Sequence, residues 1–255
     1  MTHSSDGRHA VVTGGGSGIG LAIARALRDA GLRVTIMGRT RARLDDAARA
    51  LGAGVAVEVC DVTDAGSVAT AFSAAIARGP IAVLVNNAGA AESAPLAKTS
   101  LELWRRMLDV NVTGAFLCQQ QVLPAMRAAG TGRIVNVAST AALKGYPYVA
   151  AYVAAKHALL GLTRATAVEV AVSGVTVNDV CPGYTDTAMV DRAVQQIVSK
   201  TGRSVDDTRG ALVAANPQGR LVQPEEVASA VRYLIGPEAS AITGQALVVA
   251  GGELM

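Results

Sequence analysis

Short apolar runs alternate along this chain with longer stretches in which apolar residues return at helical spacing. The runs fall at residues 10–13, 33–37, 55–59, 81–85, 134–137, 175–180 and 245–249, and each has the length and composition of a strand. Between them, residues 21–30, 40–51, 65–77, 101–129, 150 onward and 224–235 read as helices. Strands alternating with helices throughout give an α/β fold, a doubly wound parallel sheet flanked by helices on both faces. The 101–129 stretch is the longest helix. Its Trp104, Met107, Leu108, Val112 and Ala115 form a stripe suited to the core or to a subunit interface, and Pro124 is expected to bend or end it. Residues 184–217 change character, mixing polar, charged and apolar residues in short helical pieces. They are expected as a small helical lobe over the carboxyl edge of the sheet, placed to choose a substrate. No repeat, low-complexity tract or linker interrupts the pattern, so residues 1–255 are expected as one domain.

Composition narrows the function. With 51% hydrophobic and 17% charged residues the chain is too apolar to be disordered, yet its longest apolar runs fall short of a membrane span. A net charge of +3 without basic blocks, and only 3% aromatic residues, argue against nucleic acid. Cys60, Cys118 and Cys181 are far apart in apolar contexts, so reduced buried thiols are expected and no metal site. The amino-terminal residues 1–9 lack an apolar segment of the secretory kind, and a cytoplasmic protein is the simplest expectation.

The first four strand ends carry candidate chemistry. The first runs into Gly14-Gly15-Gly16-Ser17-Gly18-Ile19-Gly20 and then a helix, the context in which glycines let backbone amides approach a pyrophosphate. This makes the sheet Rossmann-type. The second ends in Gly38-Arg39-Thr40-Arg41, where an acid would read the ribose of NAD. No acid stands there, and the Arg39 fork suits a 2′-phosphate, so NADP(H) is favoured with NAD(H) possible. Alternatively Arg39, Arg41 and Arg43 decorate a solvated helix start. The third ends in Cys60-Asp61-Val62, where Asp61 could meet an adenine amine, while Asp64 suits a helix N-cap. Asn86-Asn87-Ala88-Gly89 closes the fourth strand with small residues and amides, fit for a cofactor ribose or for an ordinary turn.

The stretch from Ser139 to Lys156 brings a hydroxyl, a phenol and an ammonium together. Tyr152 and Lys156 fall one helical turn apart, and Ser139 follows a strand at the edge where open α/β sheets carry out their chemistry. A phenol with a pKa of about 10 is a poor base until a nearby ammonium favours the phenolate. Lys156 could supply that charge, although a Tyr-x-x-x-Lys pair also occurs as a plain surface contact. Asn111 lies among apolar residues and reads from its spacing as a satisfied core amide, a water relay being the alternative. In the lobe, Tyr184, Met189, Val190 and Val194, with Tyr146 and Tyr148, could line an apolar pocket. Arg192, Lys200, Arg203 and Arg209 could meet an anionic carrier such as coenzyme A, or simply be solvated.

In their order these motifs resemble those of the short-chain dehydrogenase/reductase family, over nearly the whole chain from Ala10 to Gly252. Thr13-Gly14-x3-Gly18-x-Gly20 is similar to the family's cofactor loop, Asn86-Asn87-Ala88-Gly89 to its fourth-strand motif, and Asn111, Ser139, Tyr152 and Lys156 to its catalytic tetrad. The resemblance implies Tyr152 as general acid/base, Lys156 lowering its pKa and holding the nicotinamide ribose, Ser139 orienting the carbonyl and Asn111 supporting a proton-relay water. It implies cofactor contacts from Gly14, Gly16, Ser17, Gly18, Ile19 and Gly20, from Arg39, Asp61 and Val62, from Asn87, Ala88 and Gly89, and from Pro182, Gly183, Thr185 and Thr187. Two positions depart: Asp179, where a small apolar residue is usual, and Ala250, where an aspartate is common, neither expected to touch the chemistry. The implied activity joins a ketone and a secondary alcohol by hydride transfer. The substrate is a small molecule, first a 3-oxoacyl thioester or other β-keto compound, with hydroxybutyrate-like acids, aryl alcohols, sugars or steroids as alternatives. A homotetramer is implied. A nicotinamide-sensing protein without chemistry is the rival reading from another class.

Overall fold

The computed structural model describes residues 7–255; most of the amino-terminal stretch in which no leader is expected lies outside them. Seven strands, β1 (His9–Thr13), β2 (Arg33–Gly38), β3 (Val55–Val59), β4 (Ile81–Asn86), β5 (Gly132–Val137), β6 (Val175–Pro182) and β7 (Ala246–Val249), form one sheet in the order β3-β2-β1-β4-β5-β6-β7. Every pairing is parallel. The order reverses between β1 and β4, which opens a crevice at their carboxyl ends, the place where such sheets bind ligands.

The two-residue period of the strands divides the core between the faces. Ala10, Val12, Val83, Val85, Val135 and Val137 pack on one side with Ile23 and Leu27 of α1 (Gly18–Asp29), Leu44 of α2 (Arg41–Leu51) and residues such as Val227 and Val231 further along the chain. Val11, Leu84, Ile134 and Val177 pack on the other with Phe72 of α3 (Ala65–Ile76) and with the later helices that carry Cys118 and Ala167. Asp64 caps α3 by accepting a hydrogen bond from the Ser67 N–H at 2.6 Å, the structural task its position suggested.

Three boundaries differ from the sequence expectation. α1 begins at Gly18 rather than at residue 21, because the last glycines of the loop form its first turn. The 101–129 stretch is divided into α4 (Leu101–Leu108), a π-helical turn (Asp109–Thr113) and α5 (Gly114–Ala129). Pro124 does not end α5, which runs on to Ala129 and stops at Gly130 with φ +67°; burial of Val122 and Met126 on either side holds the helix across the missing donor. α6 (Ala150–Val170) follows, then α7 (Ala188–Thr201) and α8 (Val205–Val213) of the lobe, and α9 (Pro224–Leu234), which packs on α1. The lobe has its own apolar cluster of Val190, Val194 and Leu221. Among the described residues no helix is long and apolar enough to cross a membrane, and no group of His, Cys, Asp or Glu could hold a metal ion. Cys60, Cys118 and Cys181 are free and buried.

Candidate active site

The glycine loop is shaped by close contacts that only glycine permits. Gly14 (φ +67°) turns back so that its N–H donates to Met37 O at 2.7 Å. A Cβ on Gly20 would run into Gly14 O and Asn87 Nδ2, so the first turn of α1 lies directly against the loop. Ser17, the exposed N-cap of α1, makes no side-chain capping bond, and no acid stands in the first turn. The leading amides therefore face outward at the positive end of the helix, and Gly18 (φ +52°) keeps them clear; a Cβ there would meet only the Thr187 side chain, at 3.3 Å. This donor set fits a pyrophosphate. Gly16 and Ile19 are partly buried within the same loop.

Asn87 is anchored beneath the glycine loop. Its Nδ2 donates to Thr13 O at 2.9 Å and Gly14 O at 3.3 Å, and the N–H groups of Asn87 and Ala88 both donate to Thr13 Oγ1 at 3.0 Å. Thr13 and Asn87 thus lock β1 to β4 beneath the loop. Asp61, at the end of β3, accepts from Thr63 N–H at 3.0 Å and Thr63 Oγ1 at 2.8 Å; with the positive field of Arg39 these hold its carboxyl below the usual range. Val62 packs against Gly114. Arg41 pairs with Asp45 at 2.8 Å, which removes it from the phosphate-reading set. Arg39 stays exposed, the Arg43 stem lies where a Cβ on Gly16 would be 3.4 Å from it, and neither forms an ion pair among the described residues.

Catalytic candidates converge beyond this loop. Lys156 is 4% exposed; its Nζ donates to Val137 O at 2.9 Å and lies 5.7 Å from the centre of the Tyr152 ring. The Ser139 hydroxyl accepts from the Ala141 N–H at 3.1 Å and lies near enough to the Tyr152 phenol to favour its ionised form. Asn111 sits in the π turn, a helical irregularity frequent at functional sites. Its Nδ2 donates to Ala90 O and Met107 O, both at 2.9 Å, so the side-chain amide is satisfied in place. A Cβ on Gly89 would lie 2.8 Å from Asn111 Oδ1 and 3.7 Å from Lys156 Nζ, so Gly89 is where these two side chains meet.

The electrostatics correct one expectation. Burial raises the Tyr152 phenol above its usual range, the nearby Ser139 hydroxyl opposing, while burial pushes the Lys156 ammonium down to about 8. A second correction concerns Asp179, which was expected to stand apart. It is fully buried, its carboxyl pushed up to about 7 by burial, and its charge acts on Lys156.

The remaining predicted residues separate. Pro182 ends β6, and the Gly183 N–H donates to Val249 O at 3.0 Å. Thr185 is buried, with its hydroxyl donated to Gly183 O at 3.0 Å, so it braces the chain; Thr187 faces the glycine loop. Val190 and Val194 fill the core of the lobe instead of lining a pocket. Arg209 is bound to Asp186 at 2.5 Å and Asp191 at 2.9 Å, which takes it from any carrier, and Lys200 Nζ donates to Ser93 O at 3.3 Å. Tyr184 packs edge-on against Tyr146 at 6.4 Å, Met189 and Tyr148 are exposed, and Tyr148 holds φ +66°. Glu253 escaped sequence reasoning. Its buried carboxylate accepts from the Tyr146 hydroxyl and pairs with Lys144 at 3.2 Å, tying the end of the chain to the segment between Ser139 and Tyr152.

Residues 14–253 match the family model described as Enoyl-(Acyl carrier protein) reductase. The cis-4-hydroxycyclohexanecarboxylate dehydrogenase of Sinomonas cyclohexanicum is 43% identical over 250 residues, 96% of either chain. The galactitol 2-dehydrogenase (L-tagatose-forming) of Cereibacter sphaeroides is 40% identical over 97% of this chain and 95% of its own. Among solved structures, a single-substitution variant of actinorhodin polyketide ketoreductase with NADPH superposes with a TM-score of 0.94 at 42% identity, covering 97% of each chain.

Proposed function

The chain belongs to the short-chain dehydrogenase/reductase family of NAD(P)-dependent oxidoreductases, which act on CH–OH groups, and on that premise we propose that Tyr152, Ser139 and Lys156 reduce a ketone to a secondary alcohol. The observation that carries this reading is the buried Lys156 ammonium, anchored to Val137 O and 5.7 Å from the centre of the Tyr152 ring, with the Ser139 hydroxyl close to the same phenol. A nicotinamide cofactor, when bound, supplies a hydride to the carbonyl carbon or accepts one from the alcohol. The glycine loop with Ser17 and Ile19, Asp61, Val62, Ala88, Gly89, Gly183 and Thr187 would hold it. Arg39, with Arg43 beside the loop, supports NADP(H) over NAD(H).

Each side chain then has a stated task. Tyr152 donates its phenolic proton to the carbonyl oxygen as negative charge gathers there, and recovers a proton before the next cycle. Because burial raises this phenol, it stays protonated through neutral pH, the state needed for reduction. Ser139 hydrogen-bonds the same oxygen and fixes its position. The Lys156 ammonium offsets the phenolate left behind. Asn111, whose amide is spent on Ala90 and Met107, holds the π turn that borders Gly89.

For substrate, a β-keto compound such as a 3-oxoacyl thioester is the first reading, in line with the ketoreductase neighbour. A second reading, a hydroxylated ring or sugar alcohol without a charged carrier, is favoured by the commitment of Arg209 to Asp186 and Asp191. We further propose a cytoplasmic homotetramer, supported by the exposed apolar side chains Phe116, Val168 and Val172.

The test is a titration with NADPH and NADH followed by turnover on β-keto esters, thioesters and polyols, with mass measured by light scattering. Tighter NADPH binding with ketone turnover by a tetramer is expected. Preference for NADH would reduce Arg39 to a solvated helix-start residue, absence of turnover would remove the oxidoreductase assignment, and an active monomer would remove the tetramer.

A further inference from the structure

A row of polar side chains crosses the otherwise apolar sheet. Asn86, Asn136 and Asp179 are register partners on β4, β5 and β6, so all three point to the same face. Asn86 Nδ2 donates to Asn136 Oδ1 at 2.9 Å, Asn136 Nδ2 donates to Thr163 Oγ1 at 2.7 Å, and the Thr163 hydroxyl donates to Asp179 Oδ1 at 2.6 Å. Thr163 lies two turns beyond Lys156 on α6. The row therefore ends in a carboxylate beneath the helix that carries Tyr152 and Lys156.

Asp179 is costly where it stands. It is fully buried, and its second oxygen, Oδ2, accepts no hydrogen bond among the described residues. A buried carboxylate in that condition needs positive charge nearby. α6 presents two cations to it, Lys156, which is buried, and Arg164, which is exposed and screened by solvent. Cys181, on its own strand, has its thiol pushed up to about 12 by burial and stays neutral. β5, α5 and β7 bring Asn136, Gln119 and Ala246, none of which ionises. Lys156 reaches the same end of the row: its Nζ donates to Val137 O, and Val137 pairs with Val180, the residue after Asp179, so the ammonium faces the charges of Asp179 and Cys181 and the Tyr152 ring. After its Thr163 hydrogen bond, the Lys156 ammonium is the largest influence favouring the Asp179 carboxylate, and Asp179 is the first charge that favours the ammonium.

We propose that Asp179 is a positioning residue for the proton-transfer site, its carboxylate keeping Lys156 in the ammonium form that Tyr152 needs when it gives up its proton. The inference rests on the oxidoreductase reading above. Burial alone drives Lys156 toward the neutral amine, and the Asp179 charge pulls it back. Removing that charge leaves the Thr163–Asn136–Asn86 row in place and lowers the pH at which Lys156 loses its proton. Reduction then fails at lower pH on its basic side.

The chain has only four lysines, Lys98, Lys144, Lys156 and Lys200, so 13C-lysine NMR can follow each Nζ titration in the full chain without any substrate. The Lys156 midpoint is expected near 8 in the parent protein and about one pH unit lower in Asp179→Asn. The basic limb of kcat for ketone reduction should move down with it. Asp179→Ala, which installs a small apolar residue, is expected to shift both in the same direction and serves if the asparagine variant does not fold. An unchanged Lys156 midpoint in a folded variant overturns the proposal, and so does a uniform fall in kcat with no displacement of the pH profile. If the parent protein turns over no ketone, the oxidoreductase reading fails instead, and the NMR midpoint still decides whether Asp179 sets the Lys156 charge.

Discussion

The charge on Asp179 has a consequence for stability that is separate from its consequence for Lys156. A carboxyl with an ordinary pKa of 3.8 that burial pushes up to about 7 binds a proton more tightly folded than unfolded. Its favourable contribution is complete below 3.8 and is lost as pH rises through about 7, each unit being worth roughly 1.4 kcal/mol. Asp179→Ala lacks this dependence. Measured by urea unfolding, the stability of the variant minus that of the parent is expected to rise by about 2–4 kcal/mol between about pH 4 and pH 8, whatever the cost of the lost Thr163 hydrogen bond. A difference independent of pH would contradict the assignment. Sequence reasoning noticed Asp179 only as a departure. Its partners were not legible, because the pairing of Asn86, Asn136 and Asp179 depends on the register of three strands far apart in the chain.

At the scale of elements, the order strand–glycines–helix at the start of the chain was legible apart from the first turn of α1, since the reason for glycine there is local. Gly20→Ala would drive a methyl into Gly14 O and Asn87 Nδ2, and it is expected to cost about 1–3 kcal/mol of stability. Loss of NADPH-induced protection against thermal unfolding should accompany it. A stable variant with parental cofactor affinity would mean that the loop is not the cradle described. The π turn around Asn111 was not legible, because one extra residue in a helix scarcely alters the apolar period that reveals the helix. The segment from Tyr184 onward was read correctly as helical and polar. Val190 and Val194 turn inward because the lobe needs its own core, which sequence periodicity cannot distinguish from a pocket lining.

For the whole molecule, alternation of apolar runs with helical stretches sufficed to give the parallel sheet, and the reversal of strand order between β1 and β4 brings distant motifs to one edge. Glycine loop, Asn87, Ser139, Tyr152, Lys156 and Thr187 come from separate stretches of chain and meet there. What gathers them is the shared carboxyl end of parallel strands. Glu253, nearly at the end of the chain, closes the same region through Tyr146 and Lys144, a contact no local pattern announces.

The measurement that bears most directly on the account is turnover of a β-keto ester by Tyr152→Phe beside the parent protein, with NADPH affinity determined on both. The account predicts a fall in kcat of about 10²–10⁴-fold, because the proton donor is gone, with affinity for NADPH retained. Undiminished turnover by Tyr152→Phe would show that the proton comes from elsewhere and would contradict the central claim.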